Sequence, residues 1–263
     1  MPHADDLPMT LPSPKPALAV VALAIVIGGV VGSTDSTAST STCEPFAAVT
    51  VAGGRAIVQQ NVWNSSRRQC MRIDGTSWRI TRARFANPTD GPPASYPSIF
   101  RGCHWARCTD VDPLPIRVGD LAVATSTWRT SCPRRGAYNV AYDLWTNSTP
   151  TTDTAPDGSE IMIWLSWRGR VQPAGSLVAR TRIDRVRWEV WRTRMSGWSY
   201  VAYRRLQRTR SAHGLNLRAF VRDSVQRWIT DPDWHLIAVE AGFEIWRGGR
   251  GLSTSAFRAR LAD

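Results

Sequence analysis

A chain of 263 residues, 43% of them hydrophobic and 13 of them tryptophan, can bury one substantial core, which excludes a chain that stays disordered for want of apolar surface. The formal charge of +12 is carried by arginine, Lys15 being the single lysine. The arginines are scattered from Arg55 to Arg260 without a dense block, which argues against nucleic acid as a partner. Four histidines and five cysteines stand in no ligand spacing such as H-E-x-x-H, so no metal site is expected.

Residues 1–13 are polar and Pro-rich, Lys15 follows, and residues 17–31 are almost unbroken Ala, Val, Leu and Ile. That run is short for a spanning helix and suits the core of a signal peptide, cleaved near Val30, Val31 and Gly32 or within residues 38–41; an uncleaved anchor is the alternative. Residues 34–42 read as a flexible Ser/Thr linker. Residues 1–42 are therefore signal peptide or N-terminal anchor plus linker, and residues 43–263 one folded domain outside the cytoplasmic membrane, with no stable span in its mature form.

Within the domain, residues 55–63 run into Gln59-Gln60-Asn61-Val62-Trp63, where Asn61 and Trp63 alternate outward unless Trp63 merely closes the edge of the core. Turn-rich segments at residues 87–93, 112–113, 147–157 and 247–249 separate many short alternating runs, the spacing of an all-β sandwich. One stretch differs: Leu217, Phe220, Val221, Val225 and Trp228 recur at helical spacing behind Asn216, a plausible N-cap.

Three runs carry the chemistry. Residues 138–145 alternate with Asn139, Ala141, Asp143 and Trp145 outward. Residues 157–167 put Glu160, Met162, Trp164 and Ser166 on one face and Ile161, Ile163, Leu165 and Trp167 on the other, which is apolar enough for an inner layer. Residues 237–246 turn Val239, Ala241, Phe243 and Ile245 inward and Glu240, Gly242, Glu244 and Trp246 outward, Gly242 marking a close approach to the backbone. A half-buried strand with an exposed Glu explains either acidic run alone. Together they offer what a polysaccharide groove needs: indole faces for sugar rings, and two acids to flank a scissile bond.

Three strings agree in order and spacing with the signature segments of glycoside hydrolase family 12: Asn139-Val140-Ala141-Tyr142-Asp143-Leu144-Trp145, Glu160-Ile161-Met162-Ile163-Trp164 and Ala241-Gly242-Phe243-Glu244-Ile245-Trp246. The rest of the chain from Cys43 onward resembles that family too. The resemblance implies an all-β, two-sheet concanavalin-like jelly-roll sandwich with one helix packed on the convex face and a long cleft on the concave one. It also implies a secreted, monomeric, retaining endo-β-1,4-glucanase that hydrolyses β-1,4-linked glucan by double displacement without a metal or organic cofactor.

Carried over by position, Glu160 matches the nucleophile and Glu244 the general acid/base, two carboxyls that a retaining enzyme holds about 5–5.5 Å apart, the first ionised and the second protonated. Asp143 matches an aspartate that orients Glu160, and Asn139 a residue that supports Glu244. Met162 and Trp164 would floor the cleft, Trp246 would touch the sugar on the leaving-group side, and Asn61 and Trp63 would hold a sugar at the non-reducing end. His104 and Trp105 would line the cleft from their loop. The family pairing joins Cys43 to Cys70 and Cys103 to Cys108, leaving Cys132 a free buried thiol.

Two features depart from the expected pattern. Glu240 stands where a neutral amide is expected, roughly 13 Å along the strand from Glu244, able to shift the pH optimum or pair with an arginine. Thr193-Arg194-Met195-Ser196 stands where the family has a Gly- and Asn-rich turn, so the resemblance carries over the reaction but not the cleft wall or the substrate preference. Xyloglucan and mixed-linkage β-glucan are alternative substrates, and a non-catalytic sugar-binding jelly roll is the alternative of another class.

Overall fold

The structure, a computed structural model, describes residues 39–263. The apolar run at 17–31, with its signal-peptide and anchor readings, lies outside the described residues. Among the described residues no helix is long and apolar enough to cross a membrane. Thr40–Thr42, read as the end of a linker, is a short strand paired antiparallel with Cys70–Asp74.

Two sheets face each other. Thr40–Thr42, Cys70–Asp74, Ser77–Arg82, Ser253–Ala262, Val123–Ser131 and Ser211–Asn216 pair in that order into the smaller one. The main path of the larger runs Ser176–Ile183, Val186–Arg194, Ser199–Arg205, Ser159–Arg168, Ala137–Asn147, His235–Gly242, Ser98–His104, Ala56–Gln59 and Ala48–Val51. Ser159–Arg168 pairs parallel with Ser199–Arg205 and antiparallel with Ala137–Asn147.

The alternation that predicts the sandwich does so because period-2 side chains can satisfy one dry face and one wet one. Ile161, Ile163, Leu165, Val239, Ala241, Phe243 and Ile245 are fully buried between the sheets, as their parity requires. Phe243 meets Trp78 and Trp128 of the smaller sheet at 5.4 and 5.6 Å between ring centroids. Each such side chain contributes about 1.5–3 kcal/mol relative to exposure. The jelly roll is therefore held from its middle.

The helix Leu217–Gln226 starts as expected, with Asn216 Oδ1 accepting from the Ala219 N–H at 3.3 Å. Its Phe220 stands edge-on to Trp188 and Tyr203 at 4.9 and 5.1 Å, against the convex back of the larger sheet. Trp228 does not join that apolar stripe. It lies past the helix end at φ 58° and is 91% exposed. The Trp228 N–H donates to Val225 O and the Ile229 N–H to Ser224 O, a Schellman closure in which Ile229 is the buried residue.

Trp167 is a second correction. Pairing with Ala137–Asn147 jumps between Val140/Ser166 and Ala141/Trp164, so Leu165 is bulged and the alternation changes face beyond it. Trp167 consequently packs with Trp164, Trp191 and Trp246 on the concave side rather than in the core.

Candidate active site

The strand Ala137–Asn147 is buried along its whole length and forms the spine of the concave face. On one side Met162 stands opposite Asp143 and Glu160 opposite Trp145. On the other, Gly242 stands opposite Ala141 and Glu240 opposite Asp143. The run read as one strand at 237–246 breaks at Phe243 and Glu244, between His235–Gly242 and Ile245–Gly249. Its register survives because the Asn139 N–H donates to Glu244 O at 3.0 Å. Gly242 is required there: an added Cβ would meet the Pro97 carbonyl oxygen at 2.5 Å. The close approach is made by the adjacent chain, not by a ligand.

Glu160, Asp143 and Glu244 all open onto one cleft of about 1330 Å³. Asn139 clamps Glu244 twice more: its Oδ1 accepts from the Glu244 N–H at 2.8 Å, and its Nδ2 donates to Glu244 Oε2. Trp198 Nε1 donates to Glu160 Oε2 at 2.7 Å. Trp145 Nε1 donates to Asp143 Oδ2 at 3.1 Å, whereas Asp143 Oδ1 is buried without a partner. Met162 Sδ, beside Asp143 in the ladder, accepts from Trp164 Nε1 and Tyr200 OH.

These acids titrate high. Burial pushes Glu244 up to about 8, with the charge of Glu160 adding to it and the Asn139 hydrogen bond opposing. Glu160 rises to about 7, again through burial, opposed by the Trp198 hydrogen bond and helped by Glu240. Burial and the repulsion of Glu160, Glu240 and Glu244 hold Asp143 well above the usual carboxylate range. Of the two candidate catalytic acids, Glu244 therefore keeps its proton to the higher pH.

Asn61 and Trp63 line the same cleft, though from a loop beyond the strand Ala56–Gln59; Asn61 has φ 45° and Trp63 is 49% exposed. Trp246 lines it too, its Nε1 donating to Gly91 O at 2.7 Å, which fixes the turn at 89–93 as a wall. The disulfide Cys103–Cys108 closes a hairpin in which Trp105 and Ala106 both have positive φ. Such a turn presents Trp105, 43% exposed, over the cleft and 4.9 Å from Trp145. Cys43–Cys70 is the other disulfide; Cys132 is free and half-buried rather than fully enclosed.

The profile of glycosyl hydrolase family 12 matches residues 54–262. The chain belongs to glycosyl hydrolase family 12. It is 32% identical over 151 residues to a probable cellulase, Cel12b, of Mycobacterium tuberculosis, a match covering 56% of this chain and 97% of that one. Its fold is similar to a metagenome-derived family 12 endoglucanase, at TM-score 0.82 and 40% identity over 86% of this chain and 98% of the other. The endoglucanase cel12A of Rhodothermus marinus superposes at TM-score 0.81 with 39% identity, covering 85% of this chain and 99% of its own. The protein is thus a glycosidase.

In this family 12 glycosidase Glu240 pairs with a histidine, not an arginine. It is fully buried, and Oε1 accepts from His104 Nδ1 at 2.5 Å while Oε2 accepts from Ser98 Oγ at 3.0 Å and Gln59 Nε2 at 3.3 Å. His104 is therefore tied down from behind while lining the cleft. Sequence reasoning missed Trp198, Tyr96 and Tyr200 as cleft residues. Trp198 belongs to the turn after Thr193-Arg194-Met195-Ser196, where the Met195 N–H donates to Trp198 O, and no periodicity marks such a position. A tryptophan directly after Gly197 was the available signal.

Proposed function

We propose that this glycosidase is a secreted, retaining endo-β-1,4-glucanase acting on cellulose-type glucan, with Glu160 as nucleophile and Glu244 as general acid/base. The observation that supports it most is the pair of high-titrating carboxyls on opposite flanks of one strand, opening onto one tryptophan-lined cleft. That cleft is larger than the roughly 300–1,000 Å³ of a small-molecule pocket, as a polymer substrate requires.

In the first step the Glu160 carboxylate attacks the anomeric carbon, the glycosidic C–O bond breaks, and the Glu244 proton goes to the departing oxygen. Water then attacks the glycosyl-enzyme, its proton returning to Glu244 as Glu160 leaves. Asn139 aims Glu244 and Trp198 steadies the charge on Glu160, while Asp143, held well above the usual carboxylate range, stands beside them in the cleft. Trp63 and Trp246 offer indole faces and edges to sugars on either side, Asn61 and His104 hydrogen-bond hydroxyls, and Met162 and Trp164 form the floor. Two disulfides fit an oxidising compartment and hence export.

Trapping with a 2-fluoro-glucoside bearing a good leaving group tests this reading. The label should map to the peptide carrying Glu160, and NMR of early products should give the β-anomer. Label elsewhere, or α-anomer first, overturns the assignment. Faster hydrolysis of xyloglucan or mixed-linkage β-glucan than of cellulose-type glucan overturns the substrate preference alone.

A further inference from the structure

Between residues 168 and 210 the chain carries twelve arginines against two acids, Asp184 and Glu189, a local +10 in a protein of net +12. Spread along the sequence they form no block. Three consecutive strands, Ser176–Ile183, Val186–Arg194 and Ser199–Arg205, carry seven of them at one edge of the larger sheet, and Arg168, Arg170, Arg185, Arg208 and Arg210 lie in the adjoining segments. Ten of the twelve are exposed, Arg204 and Arg205 being half-buried.

Little inside the protein neutralises this edge. Glu189 is held by Arg204 at 2.6 Å and only approached by Arg180 at 3.9 Å. Arg182 and Arg187 are direct cross-strand partners, and among the described residues neither forms an ion pair. Like charges in that position cost stability, and a guanidinium cannot shed its proton to escape them. Water and salt screen the repulsion in part, and an anion from outside the chain can pair with both guanidinium groups.

The edge is also continuous with the cleft. Arg170 lines it, and beyond Trp164 and Trp246 the same concave cluster contains Trp167 and Trp191. Arg204 stacks on both, 4.8 Å from the Trp167 centroid and 5.0 Å from that of Trp191, and Arg208 lies 4.8 Å over Trp167.

We propose that this arginine edge is a docking surface for an acidic polysaccharide, one bearing carboxylates on its sugar units, laid beside the cleft. Planar guanidinium forks bind carboxylates in pairs, and arginines on neighbouring strands recur at about 4.8 Å, the scale of one sugar. Nucleic acid fits less well: the surface is a sheet face rather than a helix or narrow ribbon for a groove. The indoles that would stack free bases are already covered by Arg204 and Arg208. The proposal rests on the glucanase reading only for its mention of the cleft.

The probe is polygalacturonate, titrated against the full chain at low and high NaCl, beside hydrolysis of a neutral soluble β-glucan. Wild type should bind with an affinity that falls steeply as salt rises. Arg182→Glu with Arg187→Glu should weaken binding by about tenfold or more, and Arg182→Lys with Arg187→Lys should keep most of it. Neutral β-glucan hydrolysis should be the same in all three. Undiminished binding by the charge-reversed variant, or tighter binding of duplex or single-stranded DNA than of polygalacturonate, overturns the proposal. A wild type that binds polygalacturonate but leaves neutral β-glucan intact would sink the glucanase reading and leave this one standing.

Discussion

The middle of the larger sheet and its arginine edge are both crowded with like charges, and they relieve the crowding in different ways. At the centre Glu160, Asp143, Glu240 and Glu244 are packed around one strand. A carboxylate can take up a proton, so burial there becomes raised titration, about 7 for Glu160 and about 8 for Glu244. At the edge Arg182 faces Arg187, and arginine has no such exit. Acids crowded in a dry place hold their protons to higher pH, whereas arginines crowded in a wet place keep their charge and present it to solvent.

The most damaging way to break the central half of this comparison is to remove its acids. Glu160→Gln and Glu244→Gln should each lower turnover on soluble β-glucan by about a thousandfold or more, with circular dichroism unchanged. Parent-rate hydrolysis by either variant removes that residue from the mechanism. The same variants should be more thermostable than wild type in alkali. Both carboxyls titrate above the unfolded value of 4.5, so the native state holds more protons than the unfolded one between about 4.5 and 8. Stability then falls as pH rises through that window and is restored below it. Melting curves should separate by several degrees at pH 9 and coincide near pH 4.

Finer tests sharpen the comparison. The pH profile of kcat/KM should be a narrow bell, its acid limb near the value of about 7 for Glu160 and its alkaline limb near about 8 for Glu244. Glu240→Gln removes one repulsion from Glu160 and Asp143, so the acid limb should move down by about half a unit to one unit. An unmoved limb would make Glu240 merely the anchor of His104. Smallest of all, Arg187→Glu puts an opposite charge across from Arg182 and should stabilise the fold by about 0.2–1 kcal/mol, read as a rise in Tm that vanishes in high salt.

Much of the sandwich was legible because strict alternation leaves one assignment of faces: Ile161, Ile163, Val239 and Phe243 had to be inside, and Glu160 and Glu244 across from them. Legibility stopped where an extra residue or a special turn reset the period. The bulge at Leu165 sent Trp167 to the cleft side, and the left-handed closure at Trp228 sent an apolar residue into solvent. Trp198 and the arginine edge were hidden for another reason. Trp198 reaches Glu160 only through the parallel pairing of two strands separated by a whole hairpin, and the arginines of residues 168–210, countable along the line, show their shared edge only once three consecutive strands are paired.

The parallel pairing of Ser159–Arg168 with Ser199–Arg205 has a consequence for assembly. Between those two strands the chain makes the whole Ser176–Ile183 and Val186–Arg194 excursion, and only on its return can Trp198 meet Glu160, 38 residues earlier. The contact of Glu160 with Trp198 is thus a long-range one, of the kind whose loop-closure entropy slows folding. Until the edge hairpin has closed onto the sheet, Glu160 lacks its Trp198 hydrogen bond, so the cleft is complete only when the sheet is.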